Sequence, residues 1–329
     1  MTGLAGIQGD VLLVANPISG HGRVGRRLDA VAKAVRSQGV AVEVLKTSVP
    51  GDARREAEGF TGSIILSFGG DGTFNEVLNG ADLERCALGV IPAGAGNVLA
   101  KELGMPLSPL GAVKALAWGR VARFDLGICN DRRFISMVGA GIDAHVVHRV
   151  HQGRRGGLTQ LHYVPAVVGA GLRVVPWGIE VEVDGQLFLS GADAVCIGNA
   201  HSYGGPIEMT PMASPSDGLL DVMALRVRGV GDMVGPTLAL FLRSLHGYPG
   251  ARYVRGRVVR LRSARDGVPW QVDGDCGGLL PADVRCERGR VRLLVPQGFR
   301  TRREDSLGCW GPDDLSCRSC DGLRDKRVP

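Results

Sequence analysis

Residues 67–76 read SFGGDGTFNE and follow directly on the apolar run Ser63-Ile64-Ile65-Leu66. An apolar run of strand length that ends in glycines and then opens NEVLNGA (75–81) reads as strand, tight turn and helix. The glycines strip the turn of side chains, so its chemistry is a lone carboxylate, Asp71, among bare backbone N–H groups. The same unit recurs on either side. DVLLVAN (10–16) is a short buried strand, and VGRRLDAVAKAVRSQG (24–39) carries Val24, Leu28, Val31, Ala32 and Val35 at helical spacing, with Gly39 to end it. VAVEVLKT (40–47) is a strand, GDARREAEGF (51–60) a helix with Asp52 as N-cap, ALGVIPA (87–93) a strand and NVLAKELG (97–104) a helix. Apolar strands alternating with helices imply a parallel sheet flanked by helices.

The pattern changes near Asp125. RFISMVG, IEVEVDG, DAVCIGN, LLDVMALRV, YVRGRVVRLRS, VPWQVDG and RVRLLVP alternate with period two between glycine-rich breaks, which predicts an antiparallel sandwich or barrel. Helical stretches are expected at about 158–173 and 231–246. The division expected is an α/β domain over 1–126, a β-rich domain over 127–302 and a polar, mobile tail over 303–329.

Composition narrows the function. The 329 residues are 44% hydrophobic and 22% charged, enough for a real core. Lys and Arg number 39 against 33 Asp and Glu, a net +6 that suits polyphosphates or anionic lipid surfaces. Aromatics are only 5% and no basic stripe interleaves with them, so nucleic acid is not an expected partner. Cys86, Cys129, Cys196, Cys276 and Cys286 are scattered singly, as in a reducing compartment. Cys309, Cys317 and Cys320 lie in the tail without an obvious fourth zinc ligand, the last histidine being His246. The N-terminus reads as no signal peptide, and VPAVVGAGL (164–172) is too short to span a bilayer, so a cytoplasmic protein is expected.

Ligands of open parallel sheets bind outside the carboxyl ends of the strands. Three strand ends here carry unusual loops: NPISGHGR (16–23), GGDGTFNE (69–76) and PAGAGN (92–97). Each is a turn of free amides before a helix start, the physical recipe for holding phosphates. None is a Walker A loop. Gly139-Ala140-Gly141-Ile142-Asp143-Ala144 spells G-x-G-x-x-A but has no parallel sheet after it and reads as a turn in the β-rich domain.

The trio of loops resembles the diacylglycerol kinase catalytic-domain family, which includes bacterial lipid kinases and sphingosine kinases. Its marks stand here as Asn16-Pro17-Ile18-Ser19-Gly20, Gly69-Gly70-Asp71-Gly72-Thr73-Phe74-Asn75-Glu76 and Pro92-Ala93-Gly94-Ala95-Gly96-Asn97. FISMVGAGIDA (134–144), GNAHSYGGPIEMTPMASPSDGLLDV (198–222) and VDGDC (272–276) are similar to later stretches of the family. The resemblance implies an NAD kinase/phosphofructokinase-like α/β domain followed by a mostly antiparallel β-sandwich. It further implies transfer of the γ-phosphate of ATP, with Mg2+, to a lipid hydroxyl.

Under that resemblance the nucleotide contacts are Asn16, Pro17, Ile18, Ser19, Gly20, Thr47, Gly69, Gly70, Asp71, Gly72, Thr73, Asn75, Glu76, Gly94, Ala95 and Asn97. Asp71 approaches the metal-bound triphosphate; the alternative reading of the residues is that it merely caps the following helix. Asp275, third residue of Asp273-Gly274-Asp275, stands where the family carries a glutamate that accepts the lipid proton; the same letters signal an Asp-Gly hairpin. Asp217 matches a secondary Mg2+ site completed by carbonyls at Ser214 and Leu219, or is a turn aspartate. Ala95 replaces the family's hydroxyl residue, which removes a nucleotide hydrogen bond of about 0.5–1.5 kcal/mol. The stretch 157–175, after Arg154-Arg155, is a lipid-facing helix or core packing. The expected partners are a lipid substrate and anionic phospholipid at the inner face of a membrane, and a homodimer is allowed. Two rival readings share the loops. One is an NAD kinase, and the other a non-catalytic nucleotide- or lipid-binding protein, which Ala95 and Asp275 keep open.

Overall fold

The computed structural model describes residue 4 and residues 9–152, 176–204, 207–227 and 248–300. The apolar runs of the first domain form β1 (Val11–Ala15), β2 (Val42–Lys46), β3 (Ile64–Gly69) and β4 (Ala87–Pro92). They pair in parallel in the order β2-β1-β3-β4. Strands β1, β3 and β4 are buried along their whole length, as expected when helices cover a parallel sheet, and edge strand β2 is only partly buried. The helices are α1 (Ser19–Arg36), α2 (Asp52–Gly59), α3 (Asp71–Gly80), α4 (Val98–Glu102) and α5 (Pro109–Ala117). The stripe Val24, Leu28, Val31, Ala32 and Val35 is the buried face of α1.

Chain order places the ligand crevice. From β1 the chain crosses to β2 on one side, then returns to β3 on the other. The strand order reverses between β1 and β3, so the loops after these strands splay apart there and leave an opening at the sheet's carboxyl edge.

The second domain contains β5 (Arg120–Cys129), β6 (Arg132–Phe134), β7 (Met137–Gly141), α6 (Ile142–Gln152), β8 (Ile179–Val183), β9 (Gln186–Ala192), β10 (Ala194–Gly198), β11 (Ser202–Gly204), β12 (Ile207–Glu208), β13 (Leu220–Leu225), β14 (Ala251–Gly256), β15 (Val258–Ser263), β16 (Pro269–Val272), β17 (Asp275–Leu279) and β18 (Ala282–Val295). One antiparallel layer runs β14-β13-β10-β7-β16-β17. The facing layer is β18-β15-β8-β9, with β5 on β18 and β6 on β5. Val138, Val181, Ile197, Val222, Leu261, Trp270 and Val284 belong to the core between them. The α/β domain followed by an antiparallel sandwich agrees with the sequence reading.

Strand β18 belongs to both domains, as does its partner β5, with Phe124, Leu126 and Ile128 in the first core and Cys129 in the second. Ala282 and Val284 lie in the sandwich core, whereas Val291, Leu293, Leu294 and Val295 lie in the core of the first domain. Leu293 pairs with Leu88 of β4, which makes one continuous sheet of both domains. A bulge between Glu287 and Val291 separates the two halves of its ladder with β5.

The structure departs from the local sequence pattern in two places. Asp52 is the first residue of α2, and its carboxylate accepts from the upstream amides of Ser48 (2.7 Å) and Val49 (3.0 Å) rather than capping its own helix. These two amides and Arg55 hold its carboxyl below the ordinary range. The Gly139–Ala144 stretch is a strand end that opens helix α6, not a turn; Gly141 takes φ 73 to make the change of direction. Cys86, Cys129, Cys196, Cys276 and Cys286 are free thiols. No helix among the described residues is long and apolar enough to cross a membrane. The stretches 157–175, about 231–246 and the tail with its three cysteines lie outside the described residues.

Candidate active site

The three glycine loops converge. A β-carbon on Gly20 would stand 2.1 Å from the Ala93 carbonyl oxygen, and one on Gly94 would stand 2.6 Å from Cα of Gly70. One on Gly96 would stand 2.8 Å from Oδ2 of Asp71. Backbones this close admit no side chain, so the glycines are what lets the loops meet. In the first loop Gly20, His21 and Gly22 take left-handed φ values of 60, 59 and 77, and Ser19 donates its amide to Asn16 (3.0 Å). Arg23 Nε donates to the Gly20 carbonyl at 2.9 Å and so braces the loop. Thr47, after β2, donates its amide (2.9 Å) and hydroxyl (3.4 Å) to the Ala15 carbonyl at the foot of the first loop. Ile18 is exposed at the loop tip.

Asp71 heads α3 and faces the start of α4. Its Oδ1 accepts from the Leu99 amide at 3.4 Å. Burial pushes its carboxyl up, against the pull of the amides of Leu99, Val98 and Asn97. Asn97, at φ 49, closes the third loop by accepting from the Gly94 amide and donating to the Gly94 carbonyl, both at 2.8 Å. Ala95 is exposed between them. The buried Thr73 turns back against Gly69, where a β-carbon would meet its hydroxyl at 2.5 Å. Glu76 points the other way and accepts from the Ala53 amide (3.2 Å), capping α2.

From Asp71 two helices reach the second domain. On α3 the buried Asn75 donates to Asp275 Oδ2 at 3.4 Å. On α4 Glu102 pairs with His201 Nδ1 at 2.6 Å. These two contacts tie the helices that begin at the second and third loops to the second domain. A third crossing lies beside the first: Asn79 donates to the Arg133 carbonyl and accepts from its amide, both at 2.9 Å, while Arg133 caps the carbonyls of Leu78 and Ala81 at the end of α3.

Asp275 is the first residue of β17. Asp273 and Gly274 form a two-residue turn with φ 47 and 84, and Val272 pairs with Asp275. The hairpin reading of this motif holds, and the turn leaves Asp275 with 42% of its side chain exposed. Arg132 NH2 lies 4.0 Å from its Oδ2, and NH1 is fixed on the Cys276 carbonyl at 2.7 Å. Asp273 is held from behind. It accepts from the amides of Ile135 (3.0 Å), Ser136 (3.0 Å) and Met137 (2.8 Å), and burial pushes its carboxyl up to about 6. Gln271 accepts from the Gly274 amide (2.9 Å) and donates to the buried Asp143 (3.0 Å). Arg132, Arg133, Gln271 and the pair Glu102–His201 are not legible in the sequence, because no local pattern announces a contact between residues far apart in the chain.

A family model described as the diacylglycerol kinase catalytic domain matches residues 10–129, and one described as the YegS C-terminal NAD kinase beta sandwich-like domain matches residues 136–295. Residues 10–129 belong to the diacylglycerol kinase catalytic-domain family. Relatives include the diacylglycerol kinase of Bacillus subtilis (strain 168), 29% identical over 300 residues, which cover 89% of this chain and 98% of that protein. The diacylglycerol kinase of Staphylococcus aureus (strain bovine RF122 / ET3-1) is 28% identical over 306 residues, 86% of this chain and 91% of that protein. Among solved structures, a diacylglycerol kinase from Bacillus anthracis str. Sterne shares the fold with a TM-score of 0.71 at 23% identity, covering 88% of this chain and 98% of that one.

The diacylglycerol kinase resemblance implies a secondary Mg2+ at Asp217 with the carbonyls of Ser214 and Leu219, and here Arg255 takes up the carboxylate that such an ion would need. The Asp217 carboxylate accepts from the Leu219 amide (3.0 Å) through Oδ1 and is ion-paired with Arg255 through Oδ2. The buried Ser214 turns its hydroxyl to Ser216 (3.4 Å). The neighbouring loop is tied instead by the buried Asp125, which accepts from the amides of Gly218 (2.5 Å) and Gly289 (2.7 Å).

Proposed function

We propose that this protein is a lipid kinase that moves the γ-phosphate of ATP to the hydroxyl of a diacylglycerol-like or sphingoid acceptor. The observation that carries the reading is the cleft itself: three converging amide-rich loops around Asp71 on one side, and Asp275, touched by Asn75, on the other. Phosphoryl transfer asks a protein chiefly for positioning and charge neutralisation. The amides of Gly20 and Gly70–Gly72 would cradle the phosphates, and Asp71 would hold the Mg2+ that arrives with the nucleotide.

The acceptor oxygen attacks the γ-phosphorus while the bond to the β,γ-bridging oxygen breaks, so ADP leaves with the electron pair. The hydroxyl proton passes to Asp275. Its exposure suits a base that must meet a substrate, and its fixed neighbour Arg132 supplies positive charge on that side of the cleft. The lipid reaches the cleft from a membrane surface, and the net +6 favours an anionic one at the inner face. In this reading the protein visits the membrane surface peripherally.

The test is incubation with labelled ATP and vesicles carrying diacylglycerol, a sphingoid base, ceramide or a polyprenol, with NAD as a parallel arm and mass detection of product. Label in a lipid is the expected result. Label in NAD alone would replace this reading by a nucleotide kinase, and nucleotide binding without any labelled acceptor would replace it by a binding protein.

A further inference from the structure

The misfit at Asp217 has a positive side. Asp217 and Asp221 are both buried, with side-chain exposures of 4% and 0%, and one guanidinium answers both: Arg255 pairs with Asp217 and lies 3.4 Å from Asp221 Oδ1 through Nε. The placement is set by the sheet, since Arg255 of β14 stands directly opposite Asp221 of β13. Tyr253 donates its hydroxyl to Asp221 Oδ1 at 2.7 Å from the same strand. Asp221 Oδ2 has no hydrogen-bond partner among the described residues, so the pair of carboxylates keeps spare capacity for a cation. Mg2+ needs near-octahedral oxygen ligands at about 2.0–2.1 Å and keeps several waters. A guanidinium on the same oxygens fills that space and repels the ion.

We infer that Arg255 is a built-in cation that bridges Asp217 and Asp221 in place of a divalent ion, and that its removal turns the two carboxylates into a divalent-cation site. Buried carboxylates stripped of their counter-charge must protonate or recruit another cation. Magnesium is the cation that the chemistry of the site would then accept.

Thermal unfolding of the full chain without nucleotide, in EDTA and in millimolar Mg2+, tests this independently of any kinase activity. The wild type is expected to melt at the same temperature in both. Arg255→Met, which keeps the apolar stem, is expected to melt roughly 3–6 °C lower in EDTA and to regain much of the loss in Mg2+. Adding Asp217→Asn to it is expected to abolish the regain. Mn2+ titration followed by electron paramagnetic resonance is expected to show one site in Arg255→Met and none on the wild type. If Arg255→Met does not fold, Arg255→Lys carries the stability arm, and wild-type insensitivity to Mg2+ still stands as the primary result. A wild-type melting temperature that rises with Mg2+ and loses the rise on Asp217→Asn would overturn the inference, as would an Arg255→Met melting curve equal to the wild type in EDTA.

Discussion

Asp273 and Asp275 flank a single glycine, yet their substitutions should behave in opposite ways. Asp273→Ala removes the acceptor of three buried amides, those of Ile135, Ser136 and Met137. A buried amide left without a partner costs about 1–3 kcal/mol. Alanine at φ 47 adds about 1 kcal/mol of left-handed strain that aspartate tolerates better. After partial relaxation the loss of stability should be about 3–5 kcal/mol. Asp275→Ala should lose less than about 1 kcal/mol, because the side chain is half exposed and its neighbours lie at 3.4 and 4.0 Å. Urea unfolding followed by circular dichroism measures both. The pH dependence gives a second check. Burial raises the folded-state Asp273 carboxyl from 3.8 to about 6, so the group's contribution is complete below pH 3.8 and is lost as pH rises through 6. Wild type should therefore lose up to about 3 kcal/mol from this group between pH 4 and pH 7, a slope absent in Asp273→Asn. Equal stability of Asp273→Ala and Asp275→Ala would refute the placement of the three amides.

Other outcomes follow from the same geometry. Asp71→Asn should lower the turnover of ATP by a factor of roughly 10² or more in a labelled-ATP assay, with the circular dichroism spectrum unchanged. Gly20→Ala should raise KM for ATP, since the new methyl group meets the Ala93 carbonyl and parts two of the loops; unaltered KM would mean that the first loop does not cradle phosphate. A chain ending at residue 126 should fail to show cooperative unfolding, because it lacks Val291–Val295 of its own core.

The repeated strand–turn–helix pattern made the first domain and its three loops legible, because apolar period and glycine placement are local signals. The type of hairpin at Asp273-Gly274 was equally plain. What the sequence could not show was long-range. Strand β18 alternates like its neighbours, so nothing local says that Val291–Val295 cross into the other core. Glu76 sits in a signature motif but caps α2, because the Ala53 amide lies within reach only in the folded domain. Asp217 carries the letters of a metal site, and only the register of β13 on β14 reveals that Arg255 reaches its carboxylate. Helix α6 hid behind a glycine pair that reads as a turn, while its Asp143 fills the space over Gly139.

The most direct test of the account is the turnover number for lipid phosphorylation by Asp275→Ala and Asp275→Glu, measured with labelled ATP and mixed vesicles of diacylglycerol and anionic phospholipid. If Asp275 takes the proton of the acceptor hydroxyl, Asp275→Ala should lose about 10²–10⁴ in kcat with KM for ATP near the wild-type value, and Asp275→Glu should retain activity. An Asp275→Ala kcat within threefold of wild type would contradict the claim that the two domains supply the nucleotide loops and the base of one phosphoryl transfer.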